Sequence, residues 1–109
     1  CIMAELFSTI PLFPGETEPD QVSKLVDILG SPKHSWGEGM ELANNMGWPV
    51  DRKKKYTLES RVPSASKSAV TLMKDLLQWN PDDRPTCAEA LQHDFFAVNT
   101  TSISPKRVL

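Results

Sequence analysis

The hydrophobic pattern of the chain is clearest between residues 67 and 79, where apolar side chains recur every three or four positions. The members of this stripe are Ala69, Leu72, Met73, Leu76 and Leu77. Lys67 and Lys74 lie largely outside it, as in a helix with one buried face. Ser66 precedes the stripe and is a favourable N-cap, because its hydroxyl can accept a hydrogen bond from the first turn. The pattern therefore predicts an amphipathic helix over 67–79.

A second amphipathic stretch covers residues 17–29. Its apolar positions follow the i, i+3, i+4, i+7 spacing of one helical face and are Val22, Leu25, Val26 and Leu29. Thr17 is a suitable N-cap, and Pro19 and Asp20 are residues favoured in a first helical turn. Gly30 is placed to end the helix in a left-handed conformation. We predict a helix over 17–29.

The opening residues 1–8 are apolar on nearly every side, with Glu5 as the one charge. We predict a helix here, and a helix of this composition belongs in the middle of a larger core. The chain starts with Cys1 rather than with methionine, and it starts inside an apolar run. We therefore expect it to be part of a longer protein.

The segment 31–66 has a less regular pattern. A short helix is predicted over 38–45, and a Gly-Trp-Pro sequence ends it. Trp36 and Trp48 are expected to cover a local core. The four basic residues 52–55 have two interpretations, a solvated loop or a docking site for an acidic or phosphorylated peptide, since clustered cations attract anions at long range.

The region after the 67–79 stripe reads as a helix end, a tight loop and a new helix. Pro81 lacks a backbone donor and disfavours helical geometry in the residue before it. Thr86 and Glu89 have the spacing of a capping box, which predicts a helix over 87–93. The polar residues 98–109 are predicted to form a disordered tail.

Arg84 is the candidate functional residue of this loop. One interpretation is a solvated arginine with Asp82 or Asp83 as its acidic partner. The other is a guanidinium held by the fold, whose planar fork grips a carboxylate elsewhere. The residues by themselves leave both interpretations open.

Composition and charge exclude several classes of function for these 109 residues. A net charge of −2 argues against a generic nucleic-acid surface. Cys1 and Cys87 are far apart, which indicates neither a disulfide framework nor a zinc site and fits a reducing, intracellular compartment. No apolar run approaches the roughly 18 residues that a membrane span needs. His34 and His93 are distant from each other and suggest ordinary core or surface histidines.

Several motifs resemble the end of a eukaryotic protein kinase domain. Residues 80–96 carry Asn-Pro-Asp-Asp-Arg-Pro-Thr followed by His-Asp-Phe-Phe, which is similar to the last loop and helix of that family. Residues 1–7 with Leu-Phe-Pro-Gly at 12–15, and Leu-Gly-Ser-Pro at 29–32, resemble the CMGC branch. This branch contains cyclin-dependent, mitogen-activated and male-germ-cell-associated kinases. The resemblance covers residues 1–97 in order and spacing.

The resemblance implies an all-α fold, namely the C-terminal third of a kinase large lobe with a long irregular insert at 31–66. Two positions depart from the family pattern. Asn80 stands where the family usually has aspartate, and Asp94 stands where it often has proline. Neither position touches catalysis, so the departures affect details of the loop and not the family.

The resemblance also implies where the chemistry lies. Phosphoryl transfer needs a Gly-rich loop, a strand lysine, a catalytic-loop Asp and Asn and an Asp-Phe-Gly aspartate, and none of these motifs occurs in the sequence. The resemblance therefore assigns ATP and magnesium to the longer kinase, and no catalytic, cofactor-binding or metal-binding residue to this chain. An arginine at the position of Arg84 pairs, in the family, with a glutamate at the end of the activation segment, which is not contained in these residues.

Expected partners are the remainder of the kinase domain and protein substrates or regulators that contact residues 17–60. Neither nucleic acid nor a membrane is expected as a partner. Ser104, within Ser-Pro-Lys-Arg, resembles a proline-directed phosphorylation site.

Two other functional hypotheses stay open at this stage. The chain could be a non-catalytic interaction module, either a truncated product or part of a pseudokinase, which competes for partners through the same helices. It could also be a free-standing helical domain whose similarity to kinases is accidental. The catalytic aspartate and strand lysine of the longer protein would separate the first of these from an active kinase.

Overall fold

The computed structural model describes residues 1–97, and all the regular structure within this range is helical, without a strand. The all-α fold is therefore confirmed. The six helices are α1 (Ile2–Ser8), α2 (Glu18–Leu29), α3 (Gly37–Asn45), α4 (Leu58–Arg61), α5 (Lys67–Leu76) and α6 (Cys87–Leu91). Two 3-10 turns, Pro81–Asp83 and Asp94–Phe96, flank α6.

The main core forms around α5, whose buried face supplies Ala69, Val70 and Met73. Side chains from α1, α2, α4 and the loop after α1 pack in the same cluster, namely Ala4, Leu12, Phe13, Ile28, Leu58 and Val62. Ser66 caps α5, since its Oγ accepts a hydrogen bond from the N–H of Ala69 at 3.2 Å. The fold buries Ala69, Leu72 and Met73 of the predicted stripe, and it also buries Val70, whereas Leu76 at the end of α5 is 38% exposed.

A smaller apolar cluster lies between α2, α3 and the chain that follows α3. Its buried members are Val26, Ala43 and Val50. Trp48 and Trp79 pack against it while keeping part of their surface exposed. This second cluster positions the insert relative to α2.

The opening helix α1 is covered on one side only by the described residues, and its burial in a larger core stays a prediction. Ala4 is fully buried in the main core, but Ile2 and Leu6 are 81% and 79% exposed. Among residues 1–97, α1 therefore packs at the edge of the core along one narrow face. The physical reason is that this core offers apolar surface only to the side of the helix that carries Ala4, with Met3 and Phe7 partly covered beside it.

Asp27 connects α2 to the basic run of the insert. Nη1 of Arg52 lies 2.8 Å from Oδ1 of Asp27, and the two side chains are 30% and 14% exposed. Arg52 Nη1 and Asp27 Oδ1 are not aligned as a hydrogen bond, so charge attraction alone joins them as an ion pair. Nη2 of Arg52 donates to the carbonyl and the hydroxyl of Ser23, both at 2.9 Å. The backbone carbonyl of Asp27 accepts from the N–H groups of Lys55 and Tyr56.

The ends of two predicted helices differ from the structure. The helix predicted over 67–79 ends at Leu76, because the chain turns at Leu77 and the next carbonyls serve other donors. The helix predicted over 87–93 ends at Leu91, since His93 already has extended backbone geometry. The insert also contains α4, which the sequence pattern did not predict. Thr57 is its N-cap, and the Thr57 hydroxyl accepts a hydrogen bond from the N–H of Ser60.

Gly30 ends α2 with a positive φ, as its position suggested, but not in the left-handed helical conformation. Its φ and ψ are 80° and −170°, a region that essentially only glycine adopts. The N–H of Gly30 still donates to the carbonyl of Val26 at 2.9 Å. The extended ψ turns the chain out of α2 and into the insert.

The loop before α6 forms the capping box that the sequence predicted. Oγ1 of Thr86 accepts from the N–H of Glu89 at 3.1 Å, and Oε1 of Glu89 accepts from the N–H of Thr86 at 2.8 Å. The bond from the Thr86 N–H to the Glu89 carboxylate, and next the Thr86 side chain, hold the pKa of Glu89 below its usual value. On the other side of α6, Nε2 of His93 lies 3.2 Å from Oδ2 of Asp75 and links the end of α6 to α5.

We predict that Arg52→Ala destabilises the fold by about 2 kcal/mol, because it leaves the nearly buried Asp27 carboxylate without its cation and removes two bonds to Ser23. Lys53→Ala is the matched control from the same basic run, and we expect it to change stability by less than about 0.5 kcal/mol, since Lys53 is exposed. Urea denaturation of the two variants measures the difference. Equal effects of the two substitutions would contradict a structural role for Arg52.

A second prediction concerns the pH dependence of the capping box. Because the folded-state pKa of Glu89 is lowered, its contribution to stability is present above the unfolded-state pKa and is lost as the pH falls through the folded-state value. Thr86→Ala removes the side-chain contribution but keeps the backbone N–H, so it should move the pKa of Glu89 part of the way back toward 4.5, its ordinary value. NMR titration measures this shift. Glu59, whose pKa is lowered chiefly by its bond to Lys74, should be unaffected and is the internal control.

Candidate functional site

The loop from Gln78 to Arg84 is held by hydrogen bonds within itself. Oδ1 of Asn80 accepts from the N–H of Asp82 at 2.9 Å and so caps the 3-10 turn that Pro81 begins. Nε2 of Gln78 donates to the carbonyl of Asp83 at 3.0 Å. Asn80 is therefore the capping residue of this turn, with its amide oxygen as the acceptor.

Arg84 is exposed, and its guanidinium is fixed by two backbone carbonyls of the preceding segment. Nε donates to the carbonyl of Gln78 at 2.8 Å, and Nη2 donates to the carbonyl of Trp79 at 3.3 Å. In the described range no ion pair joins Arg84 to Asp82 or Asp83. Arg84 is thus exposed, as the first interpretation expected, but without the local acidic partner, and the carboxylate partner in another segment stays a prediction.

The basic run at 52–55 does not act as four equivalent cations. Arg52 is committed to Asp27 and Ser23, whereas the side chains of Lys53, Lys54 and Lys55 are exposed. A docking role for the run would therefore fall to its three lysines. Arg61, which follows it in α4, stacks over the ring of Tyr56 at 3.8 Å.

A pocket of about 260 Å³ opens between α2, α3 and the chain after α5, and its walls are apolar side chains. All three tryptophans of the chain, Trp36, Trp48 and Trp79, line it. Trp79 is fixed there because its Nε1 donates to the carbonyl of Gly30 at 3.0 Å. We call this cavity the tryptophan pocket.

The floor of the tryptophan pocket depends on Gly39. A Cβ at this position would overlap the ring of Trp36, so α3 can approach that ring only with glycine there. At the mouth, Leu42 and Met46 are 56% and 60% exposed. Leu42 lies on α3 and Met46, one turn later, is the C-cap of that helix, so the two form one continuous apolar rim.

Sequence reasoning treated Trp36 and Trp48 as covers of a local core and did not identify the pocket. Three tryptophans in a short chain were the available signal. Their positions share no helical or strand spacing, because they come from three separate segments. Only the packing of α3 and of the chain after α5 against α2 brings them together.

The remaining predicted features have plain outcomes. Ser104 and the predicted tail 98–109 lie outside the described residues. Within residues 1–97, no group of three or more His, Cys, Asp or Glu side chains is arranged to hold a metal ion. No helix in that range has the length and apolar content that crossing a membrane requires.

Sequence comparison finds kinases over most of the chain. The serine/threonine-protein kinase MAK of Homo sapiens is 43% identical over 98 residues, which make up 89% of this chain and 16% of MAK. The cyclin-dependent kinase F-4 of Oryza sativa subsp. japonica is 42% identical over 96 residues, 87% of this chain and 21% of that kinase. The chain thus spans less than a quarter of the length of these relatives. No protein-family model matches it.

Structure comparison finds the same class of protein. The MAP kinase LmaMPK10 from Leishmania major superposes with a TM-score of 0.77 and 27% identity, over 96% of this chain and 31% of the kinase. The similarity thus includes the insert and the helices around it. Since MAK, a cyclin-dependent kinase and a MAP kinase all match nearly the whole chain, the chain belongs to the CMGC group of serine/threonine protein kinases and corresponds to the C-terminal helical part of their catalytic domain.

Proposed function

We propose that this chain is the C-terminal supporting part of an active, intracellular serine/threonine protein kinase. The longer protein would transfer the γ-phosphate of ATP, with magnesium, to protein hydroxyls, and the nucleotide and metal would bind outside these residues. The 43% identity to MAK over 98 residues carries this proposal. The chain's own contribution is structural, because α5 and its neighbours form a core on which other segments can rest.

The proposed role of Arg84 is to brace the activation segment through a glutamate carboxylate. Two features support it. The bonds from Nε and Nη2 to the carbonyls of Gln78 and Trp79 orient the guanidinium before any partner arrives, so less side-chain entropy is lost on pairing. The residue is also exposed, which leaves the other edge of the guanidinium accessible to a carboxylate.

The proposed contact surface for substrates or regulators is the region 17–60, which comprises α2 and most of the insert. Its support is the mixture of exposed lysines at 53–55 and the apolar rim formed by Leu42 and Met46. Exposed apolar side chains beside a concave surface are typical of protein-binding sites.

We predict that Arg84→Ala in the longer kinase lowers kcat/KM for a peptide substrate by roughly 10- to 100-fold, because a charge-assisted pair is worth about 1.5–3 kcal/mol. Arg84→Lys should restore little of this loss, since the lysine ammonium cannot donate to both backbone carbonyls and also offer a planar pair of N–H donors to a carboxylate. Arg61→Ala is the matched control and should retain activity. Radiometric phosphorylation assays measure all three. Full activity of Arg84→Ala would contradict the bracing role.

We also predict that the 109-residue chain on its own binds no ATP, because the motifs that cradle phosphate and magnesium are not in its sequence. Isothermal titration calorimetry with ATP, with and without magnesium, measures this. Magnesium-dependent nucleotide binding by the chain alone would count against the supporting role. A longer protein without any phosphotransfer activity would instead favour the non-catalytic interaction module.

A further inference from the structure

The size of the tryptophan pocket indicates what it can hold. Its volume is about 260 Å³, just below the roughly 300–1,000 Å³ of sites that enclose a drug-sized ligand. A single aromatic side chain is smaller than such a ligand and fits this space. Aromatic anchors in pockets of this kind contribute much of the binding energy of protein interfaces.

The rim of the pocket is suited to contact beyond one side chain. Leu42 and Met46 project beside the mouth and are more than half exposed. Methionine is flexible and polarizable, so it adapts to the shape of an incoming apolar surface. An exposed rim of this kind next to a preformed cavity extends the apolar contact around a buried anchor.

The negative charge beside the rim favours a partner with basic residues. Glu38 lies on α3 four residues before Leu42, on the Leu42 side of the mouth, and is exposed. It forms no ion pair with any residue of the described part of the chain. An unpaired carboxylate beside an apolar pocket favours a partner that carries lysine or arginine near its apolar anchor.

We propose that the tryptophan pocket receives one aromatic side chain from a basic segment of another protein. The anchor contacts the three tryptophans, the residues next to it contact Leu42 and Met46, and a neighbouring lysine or arginine faces Glu38. This inference rests on the proposed contact role of residues 17–60 and names the chemistry of the partner. It does not depend on phosphotransfer activity.

Binding of three fluorescently labelled peptides to the longer kinase tests this inference by fluorescence polarisation. The first peptide carries one phenylalanine flanked by lysines, the second has alanine in place of phenylalanine, and the third has glutamates in place of the lysines. We expect the first to bind roughly tenfold more tightly than either of the others, since an aromatic anchor and its charge complement each add to affinity. Equal binding of all three, or binding of none, would overturn the inference.

Variants of the rim locate the binding site. The double substitution Leu42→Ala and Met46→Ala should weaken the first peptide roughly tenfold, whereas Leu91→Ala, an exposed leucine outside the pocket, should not. Glu38→Lys should shift the preference toward the glutamate peptide. Thermal unfolding of each variant verifies folding. Unchanged binding by the rim and charge variants would place the peptide elsewhere and overturn the inference.

The proposed role of Arg84 and the proposed occupant of the tryptophan pocket can be contradicted independently of each other. If Arg84→Ala reduces phosphorylation but the peptides bind alike, the kinase role stands and the pocket assignment is wrong. If the phenylalanine–lysine peptide binds through the rim but Arg84→Ala is fully active, the pocket assignment stands and the bracing role is wrong.

Discussion

Burial of the apolar face of α5 is the interaction on which the rest of this structure depends. Ala69, Val70 and Met73 form the surface on which side chains from α1, α2 and α4 converge. Burying such side chains removes apolar area from water, which is the dominant favourable contribution to folding. Without α5, the other helices would have no common apolar surface, because each of them is short and marginal by itself.

The exit from α5 couples the two functional features. Trp79 lines the tryptophan pocket with its ring, while its backbone carbonyl accepts from Nη2 of Arg84. Its indole N–H also donates to the carbonyl of Gly30, which fixes the end of α2. A single residue therefore positions the pocket wall, the helix end and the exposed guanidinium. The positions of these three features depend on where α5 ends, which is at Leu76.

The insert is held by specific contacts rather than by regular structure. Arg52 reaches across to Asp27 and Ser23, and the carbonyl of Asp27 accepts from two N–H groups of the insert. A desolvated carboxylate needs such partners, since an unpaired charge at this depth is costly. These contacts leave α3 free to present its rim and its acidic edge outward. The insert thereby presents a defined surface although it contains little helix.

The sequence by itself determined the caps at Thr17, Ser66 and Thr86, the amphipathic stripe of α5 and the kinase family, because these features depend on residues close together in the chain. The tertiary structure alone decided that Arg52 pairs with Asp27 and that the tryptophans share one pocket. It also decided that Arg84 rests on backbone carbonyls. These contacts join distant segments whose distances are set by helix packing, and no local pattern encodes such distances.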